Sequence, residues 1–549
     1  MHRIVSIVIG LMLVLVSGCD RKPSVAINTP ASTGATGAAS NENLIARFHW
    51  LGKSRLAGET NAARFMSIWN MPESTALENQ TLNKLALAPW RLTRGDAATN
   101  GAPTAQMRGL LDDLVQAEWY LEVVRDVANQ PGQVALAVRM DPERAALWKT
   151  NLASVVESLC GSKITAETDG WSLHYKTPDS GLLQFVRAGD WTLVGLAHGQ
   201  NALLGEFRAR IGRDHAPYAA RTTNYWLDAN VDLVQLNDAL ALGWKLPAGL
   251  PRIKLTEIGD GENVRTRGEL VFPKPLDLKI ERWRIPTNLV HDPLVSFTAC
   301  QGIKPLLTVT KAWRQFNLAE TPNQVFFWAL GGAPFQSYFA APLSNNQVSV
   351  LVDWVMNQGN LWIADNGMGK FNKVRGAEGI RWFPIPFMQP FFLVSPTNEP
   401  GFICGGFFPD RSVERKLPSE LLYAVFSRTN LVYYDWELTK DRLEGWNGIG
   451  QILRLSTHHG RIPQNSASTI WIRAAKTNMN NAVTAVLKSD SHQLTFSRAS
   501  TTGFTGIEIH FLADWLESKN FPYGFHTMLA APEILGGGQP GLMPPNSAR

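Results

Sequence analysis

The chain is poor in cysteine, in excess charge of either sign and in long apolar runs, and each shortage removes a class of protein. Four cysteines, at positions 19, 160, 300 and 404, serve 549 residues, with no CxxC and no Cys/His cluster at zinc spacing. A disulfide scaffold and a structural metal are therefore not expected, and no cofactor is implied. The formal net charge is +5, and removal of Arg3 with a leader would leave +4. So small an excess on so long a chain points away from nucleic acid. GxSxG, HExxH and SxxK sets are missing as well, which leaves the common hydrolase chemistries without their signatures. After the first twenty residues no apolar run approaches the roughly 20 residues that span a bilayer.

What is present begins with those twenty residues. Met1, His2 and Arg3 give a short basic start, Ile4 to Leu15 is apolar apart from Ser6 and Gly10, and Val16, Ser17, Gly18 and Cys19 follow. Ile4 to Val16 is too short for a transmembrane anchor, so a cleaved leader is expected. This order resembles the lipobox of bacterial lipoproteins. The resemblance implies cleavage after Gly18, lipid on Cys19 and a place in the cell envelope, anchored to a bacterial membrane and facing the periplasm or the exterior. Several acyl chains would make that membrane attachment effectively permanent, whereas one binds reversibly. Asp20 resembles the inner-membrane retention signal of enterobacterial lipoproteins.

Residues 19–43 continue as a lipidated linker rich in Ser, Thr, Ala, Gly and Pro. Such a stretch buries too little to offset its ordering entropy and should be a flexible leash reaching on the order of 25 to 30 Å. Residues 531–549, with GGGQPG and MPP, should be a loose tail. Between them lies a body with 45% hydrophobic and 18% charged residues, ample for more than one core.

Its periodicity gives an α+β class: two antiparallel halves, 44–290 and 291–530, preceded by an N-terminal helical segment. Helices are expected over 42–69, 73–87, 106–115, 142–159 and 201–211. Strands are expected over 119–127, 134–140, 171–176, 182–188, 191–196, 225–233, 253–258 and 263–271. The order then recurs. Residues 323–330, 335–341 and 346–356 echo the hairpin and helix of 119–159, 391–394 and 401–408 echo the hairpin near Trp191, and 430–438 echoes 224–233. Residues 482–486, 493–498 and 507–515 follow the rhythm of 254–283. A tandem duplication dividing near Pro286 to Pro305 is therefore expected.

Candidate sites are few. Asp365 to Lys370 ends like a phosphate loop, but Ala364 and Phe371 replace the required glycine and hydroxyl, so it reads as a turn. Asp260 to Asn263 reads as a hairpin turn. His458 and His459 are adjacent, an awkward arrangement for joint metal ligation. Asp435 and Glu437 share one face of a strand at a spacing a glycosidase pair could use. The alternative reading makes them the solvent face, with Trp436 in the core. The nineteen tryptophans, among them Trp119, Trp283, Trp354 and Trp515, read as core packing. Cys160, Cys300 and Cys404 are expected as buried thiols.

With no catalytic set, the expected function is that of a non-catalytic envelope scaffold or binding module, with an envelope protein or glycan as partner. A periplasmic hydrolase acting on glycan and a carrier of a lipid or apolar ligand are the alternatives, and cavity geometry separates the three. Labelled fatty acid is expected to enter the protein in cells and to be excluded from a Cys19→Ser variant. Equal labelling of both would remove Cys19 as the lipid site.

Overall fold

The computed structural model describes residues 43–523 apart from 95–100, 126–131, 176–180, 220–224, 241, 243–245, 288, 332–335, 366–368, 374–379, 384–387, 394–400, 408–417, 447–464 and 519–520. The leader, Cys19, the leash, the tail and the His458-His459 pair lie outside the described residues. The fold is α+β, with its strands paired antiparallel. It divides into two compact units, residues up to Leu276 together with the described part of 459–526, and Asp277 to His458.

The first unit opens with β1 (Leu44–Trp50), followed by α1 (Lys53–Leu56), α2 (Ala63–Trp69), α3 (Pro72–Arg94) and α4 (Thr104–Gln116). The helix expected from residue 42 is thus a strand at its start. In LIARFHW, Ile45, Ala46 and His49 are buried on the two faces of the strand, and the pairing groups of β1 are taken on both sides, by β2 and by β8. The helices do not precede the sheet but are inserted between its first two strands.

The chain continues through β2 (Trp119–Val124), β3 (Gln133–Arg139), α5 (Pro142–Cys160), β4 (Thr165–Glu167), β5 (Gly170–Tyr175), β6 (Gly181–Ala188) and β7 (Trp191–His198). Next come α6 (Ala202–Asp214), β8 (Leu227–Asp232), α7 (Leu233–Ala239), β9 (Arg252–Gly259) and β10 (Val264–Val271). Asp141 caps α5 by accepting from the Arg144 N–H, Pro142 takes the first turn, and Gly161 ends the helix in the left-handed region, each at its favoured position. The strands align as β4-β5-β6-β7-β3-β2-β1-β8-β9-β10. Since side chains alternate across a strand, β2 sends Leu121 to one face and Tyr120 to the other. Leu121 joins Leu136, Trp90, Leu110 and Trp148 beneath α3, α4 and α5. Tyr120 joins Leu193, Phe207 and Ile211 beneath α6. Asp260 accepts from the N–H groups of Glu262 and Asn263 between β9 and β10, the hairpin turn that its sequence signals.

The second unit holds β11 (Leu294–Gln301), α8 (Lys304–Val309), α9 (Lys311–Gln315), β12 (Gln324–Leu330), β13 (Ser337–Leu343), α10 (Asn345–Trp354), α11 (Asn360–Asp365), β14 (Lys370–Lys373) and β15 (Ile380–Phe383). It closes with β16 (Met388–Leu393), β17 (Gly401–Phe407), α12 (Ser419–Phe426) and β18 (Leu431–Leu438). Its main sheet runs β16-β17-β13-β12-β11-β18, the same order as β6-β7-β3-β2-β1-β8. Both sheets break register at the start of their central strand, between Leu44 and Ala46 and between Leu294 and Ser296. Both central strands end at a glycine of positive φ, Gly52 at 92° and Gly302 at 84°.

The chain then returns to the first unit with α13 (Ala467–Ala475), β19 (Asn481–Lys488), β20 (Gln493–Ser500) and α14 (Gly506–Glu517). Strand β20 pairs with β10 from Val264↔Ser500 to Val271↔Gln493, and β19 pairs outside it. The C-terminal part of 291–530, expected in the second half, therefore belongs to the first unit, because its hairpin satisfies the edge of β10. Residues 506–517 form a helix opened by a capping box at Thr505 and Glu508, where the corresponding residues after β10 form none. Cys160, Cys300 and Cys404 remain thiols, the last fully buried, and burial pushes the Cys160 thiol up to about 11.

Gly52 carries a local constraint. A Cβ there would lie 2.6 Å from the backbone of Ala117 and 2.7 Å from the Glu118 nitrogen, and its φ is one that L side chains avoid. Gly52→Ala is expected to destabilise the first unit by about 2 kcal/mol or more, read from urea unfolding. An unchanged midpoint would show that the turn yields without cost.

Candidate functional site

The tight turn at Gly52 brings α1 against the junction of α4 and β2, and an open cleft of about 490 Å³ forms there. Its charged lining is mixed in sign: Arg55 from α1, Asp113 from α4, Glu118 before β2, Arg139 at the end of β3, and Asp141 and Arg144 at the start of α5.

Glu118 is the hub. Its side chain is 1% exposed and accepts from His49 Nε2 at 3.0 Å, from the Tyr218 hydroxyl, and from Arg55 at 2.7 Å. Arg139 adds its charge at 3.5 Å and its backbone N–H donates to the Glu118 carbonyl. Burial alone would push this carboxyl up, but the hydrogen bonds from His49 and Tyr218 and the Arg55 charge outweigh it and hold the group at about 2. The Tyr218 hydroxyl is pushed up by burial and by its bond to Glu118. Sequence alternation explains the convergence: His49 stands opposite Tyr120 in the β1–β2 register, and its ring lies 4.4 Å from that of Tyr218. The adjacent pair repeats the pattern, with Glu122 accepting from the Tyr120 hydroxyl and, at 3.0 Å, from Arg210.

The rim is assembled differently. Asp113 accepts from Arg144 Nε at 2.7 and 2.9 Å and from Trp148 Nε1 at 2.7 Å, yet burial dominates and raises its pKa. Arg55 and Arg144 are each 42% exposed and Arg139 50%. Arg139 reaches Glu118 and Asp190 only at 3.5 and 3.7 Å, beyond hydrogen-bond length, and half of its side chain is open to solvent. The cleft thus pairs fixed anions below with guanidinium donors at the mouth.

None of these residues stands out in the sequence, because they are spread from position 49 to 218 and share no local spacing. Only the helix that carries Arg144, expected over 142–159, was legible. The pair that spacing does single out, Asp435 and Glu437, lies on β18 with 8% and 2% exposure. The solvent-face reading is overturned, and Trp436, expected in the core, is half-buried. Thr298 donates to Asp435 at 2.6 Å and Thr439 to Glu437 at 3.1 Å. Arg442 in the following helical turns has its pKa lowered by burial, opposed by the charges of Glu437 and Asp435. Buried carboxylates are tolerable with such partners, and their burial keeps a glycan from reaching both. Trp283 and Trp515 are core residues at 6% and 7% exposure, while Trp119 and Trp354 are half-buried.

Among the described residues no cluster of three metal-ligating side chains occurs, and no helix is long and apolar enough to cross a membrane. Compared with protein-family models, curated proteins and solved structures, the chain matches none.

The depressed pKa of Glu118 makes stability depend on pH. A carboxyl held at about 2 in the folded state and near about 4.3 when unfolded stabilises the fold above the higher value and loses that effect as pH falls toward the lower. The stability difference between the protein and Glu118→Gln should therefore shrink by about 2 kcal/mol between about pH 6 and about pH 3. A difference independent of pH in urea titrations would remove Glu118 as the depressed group.

Proposed function

We propose that this protein is a membrane-tethered, non-catalytic binding module. Lipid on Cys19 holds it at a bacterial membrane, the leash carries the body into the envelope, and the cleft over Glu118 receives the ligand. The observation that carries this reading is the burial and tethering of Glu118. Its side chain is 1% exposed and three hydrogen bonds occupy three of its four lone-pair sites, which leaves it poorly placed for general-base or nucleophilic work while it fixes the donors around it. A rigid group with fixed neighbours suits recognition.

The balance of three guanidiniums and three carboxylates favours a ligand rich in hydroxyl and amide groups, which both donate and accept, over a polyanion. An envelope glycan has that chemistry. The hydrolase alternative would need a carboxylic acid free to move its proton. The candidate with a raised pKa, Asp113, is tied down by Arg144 and Trp148.

The two units are also read as copies of one ancestor. Support comes from the shared strand order, the register breaks at Leu44/Ala46 and Leu294/Ser296, and the glycines at 52 and 302. By these registers Gln324 takes the place of Glu118, since Cys300 and Gln301 pair with Val325 and Gln324 as Trp50 pairs with Trp119. Gln324 is 1% exposed and bonds the backbone of Arg282 and Arg284. One copy kept a polar clamp for its own chain, and the other built an exposed cleft over it.

The full-length protein in lipid vesicles should retain polymeric cell-wall glycan and release no new reducing ends from it. Arg139→Ser should lower retention several-fold, as expected for one charge-assisted donor. Release of reducing ends would put the hydrolase first, and equal retention by the variant would remove this cleft from the ligand surface.

A further inference from the structure

We propose that the second unit carries its own binding site, for an oxyacid anion joined to an apolar ring, in the cleft between residues 280–283 and the C-terminal end of α12. This site is separate from the cleft over Glu118 and does not depend on its glycan reading.

The cleft encloses about 470 Å³ and is lined by Glu281, Arg282 and Trp283 on one wall and Phe426, Arg428 and Thr429 on the other. Its walls are held by one buried amide. Gln301, 2% exposed, accepts from the Glu281 N–H at 2.9 Å and donates to the Leu431 carbonyl at 2.6 Å. Gln324 fastens the same wall through the Arg282 carbonyl and the Arg284 N–H. The gap between the walls is therefore set before any ligand arrives, which lowers the ordering cost of binding.

The charged lining is cationic on balance, two arginines to one glutamate. Arg282 and Arg428 are exposed, and neither forms an ion pair with a carboxylate among the described residues. The carboxylate on this wall, Glu281, lies 3.5 Å from Lys279. Thr429 adds a hydroxyl. Two guanidiniums against one carboxylate lining a single cleft leave an excess of positive charge, which attracts an oxyanion and can bind it through paired N–H groups. Beside them Phe426 is 46% exposed, and one turn earlier on α12 Tyr423 is 73% exposed. Trp283 forms an apolar floor, edge-on to Phe326 at 5.9 Å. An exposed ring beside unpaired cations accounts for a ligand with both an anionic end and an apolar face.

Calorimetric titration of the full chain in lipid nanodiscs, with empty nanodiscs as reference, tests this with benzoate, phenyl phosphate and benzyl alcohol. At least one of the two acids should bind saturably at one site per chain, and the tighter of them identifies carboxylate or phosphate as the preferred oxyacid. Arg428→Gln should weaken that acid about tenfold or more and Phe426→Ala several-fold, whereas Arg267→Gln, which removes an exposed charge from β10, should leave it unchanged. No saturable binding of either acid, equal binding of benzyl alcohol, or an affinity indifferent to Arg428→Gln would each overturn the proposal.

Discussion

Strand β1 is the constraint on which the first unit depends. It pairs with β2 through Phe48↔Leu121 and with β8 through Phe48↔Ala229, so one seven-residue segment joins parts of the chain that lie far apart in sequence. A slip of one residue would send Ala46 and Phe48 to the α6 side and His49 into the apolar layer under α3 to α5. Burial on both faces forbids that slip, and the register it enforces delivers His49 to Glu118. The polar hub is thus a consequence of sheet register as much as of its own hydrogen bonds.

Gly52 continues the same constraint. The chain must leave β1 and turn back under the α4–β2 junction, and only a residue without a Cβ fits 2.6 Å from the Ala117 backbone. That turn sets α1 where Arg55 reaches Glu118. At the matching place Gly302 turns the chain of the second unit toward α8 and α9, but its connection back to the sheet is far shorter than the α1 to α4 insertion. One consequence is visible on the strands themselves. Phe327 and Phe339, paired across β12 and β13, are 46% and 38% exposed, while Leu121 and Leu136, paired across β2 and β3, are 4% exposed each beneath the helices.

Much of this fold was legible because burial imposes periods. The strands at 181–188 and 191–198 are nearly continuous buried runs joined by the Gly189-Asp190 turn, and the α5 helix behind Pro142 buries residues at helical spacing. Leu44 to Trp50 misled because three- and four-residue apolar intervals in a short run fit a helix as well as a strand, and the partners that decide the matter are remote. The return of 481–500 to the edge of β10 was illegible for the same reason: strand periodicity shows that a hairpin exists, not which edge it satisfies. Asp435 and Glu437 were located on their strand but assigned to the wrong environment, since partners such as Thr298, more than a hundred residues away in sequence, make their burial tolerable. The hub at Glu118 has no sequence signal, because alternation permits His49, Tyr120 and Glu122 on the α6 side without saying that they meet.

Two clefts with different balances of donors and acceptors follow from how each unit disposes of its buried polar groups. In the first, a carboxylate is buried and must recruit cations, so Arg55 and Arg139 are fixed near it and the mouth remains electrically mixed. In the second, neutral amides at Gln301 and Gln324 satisfy backbone groups instead. They demand no counter-charge, and the arginines nearby are left facing solvent. A buried charge organises the surface above it, whereas a buried amide organises only the chain. The charge balance of each cleft is therefore set one layer beneath the residues that line it, by whether the polar residue at the start of the second strand is a glutamate or a glutamine.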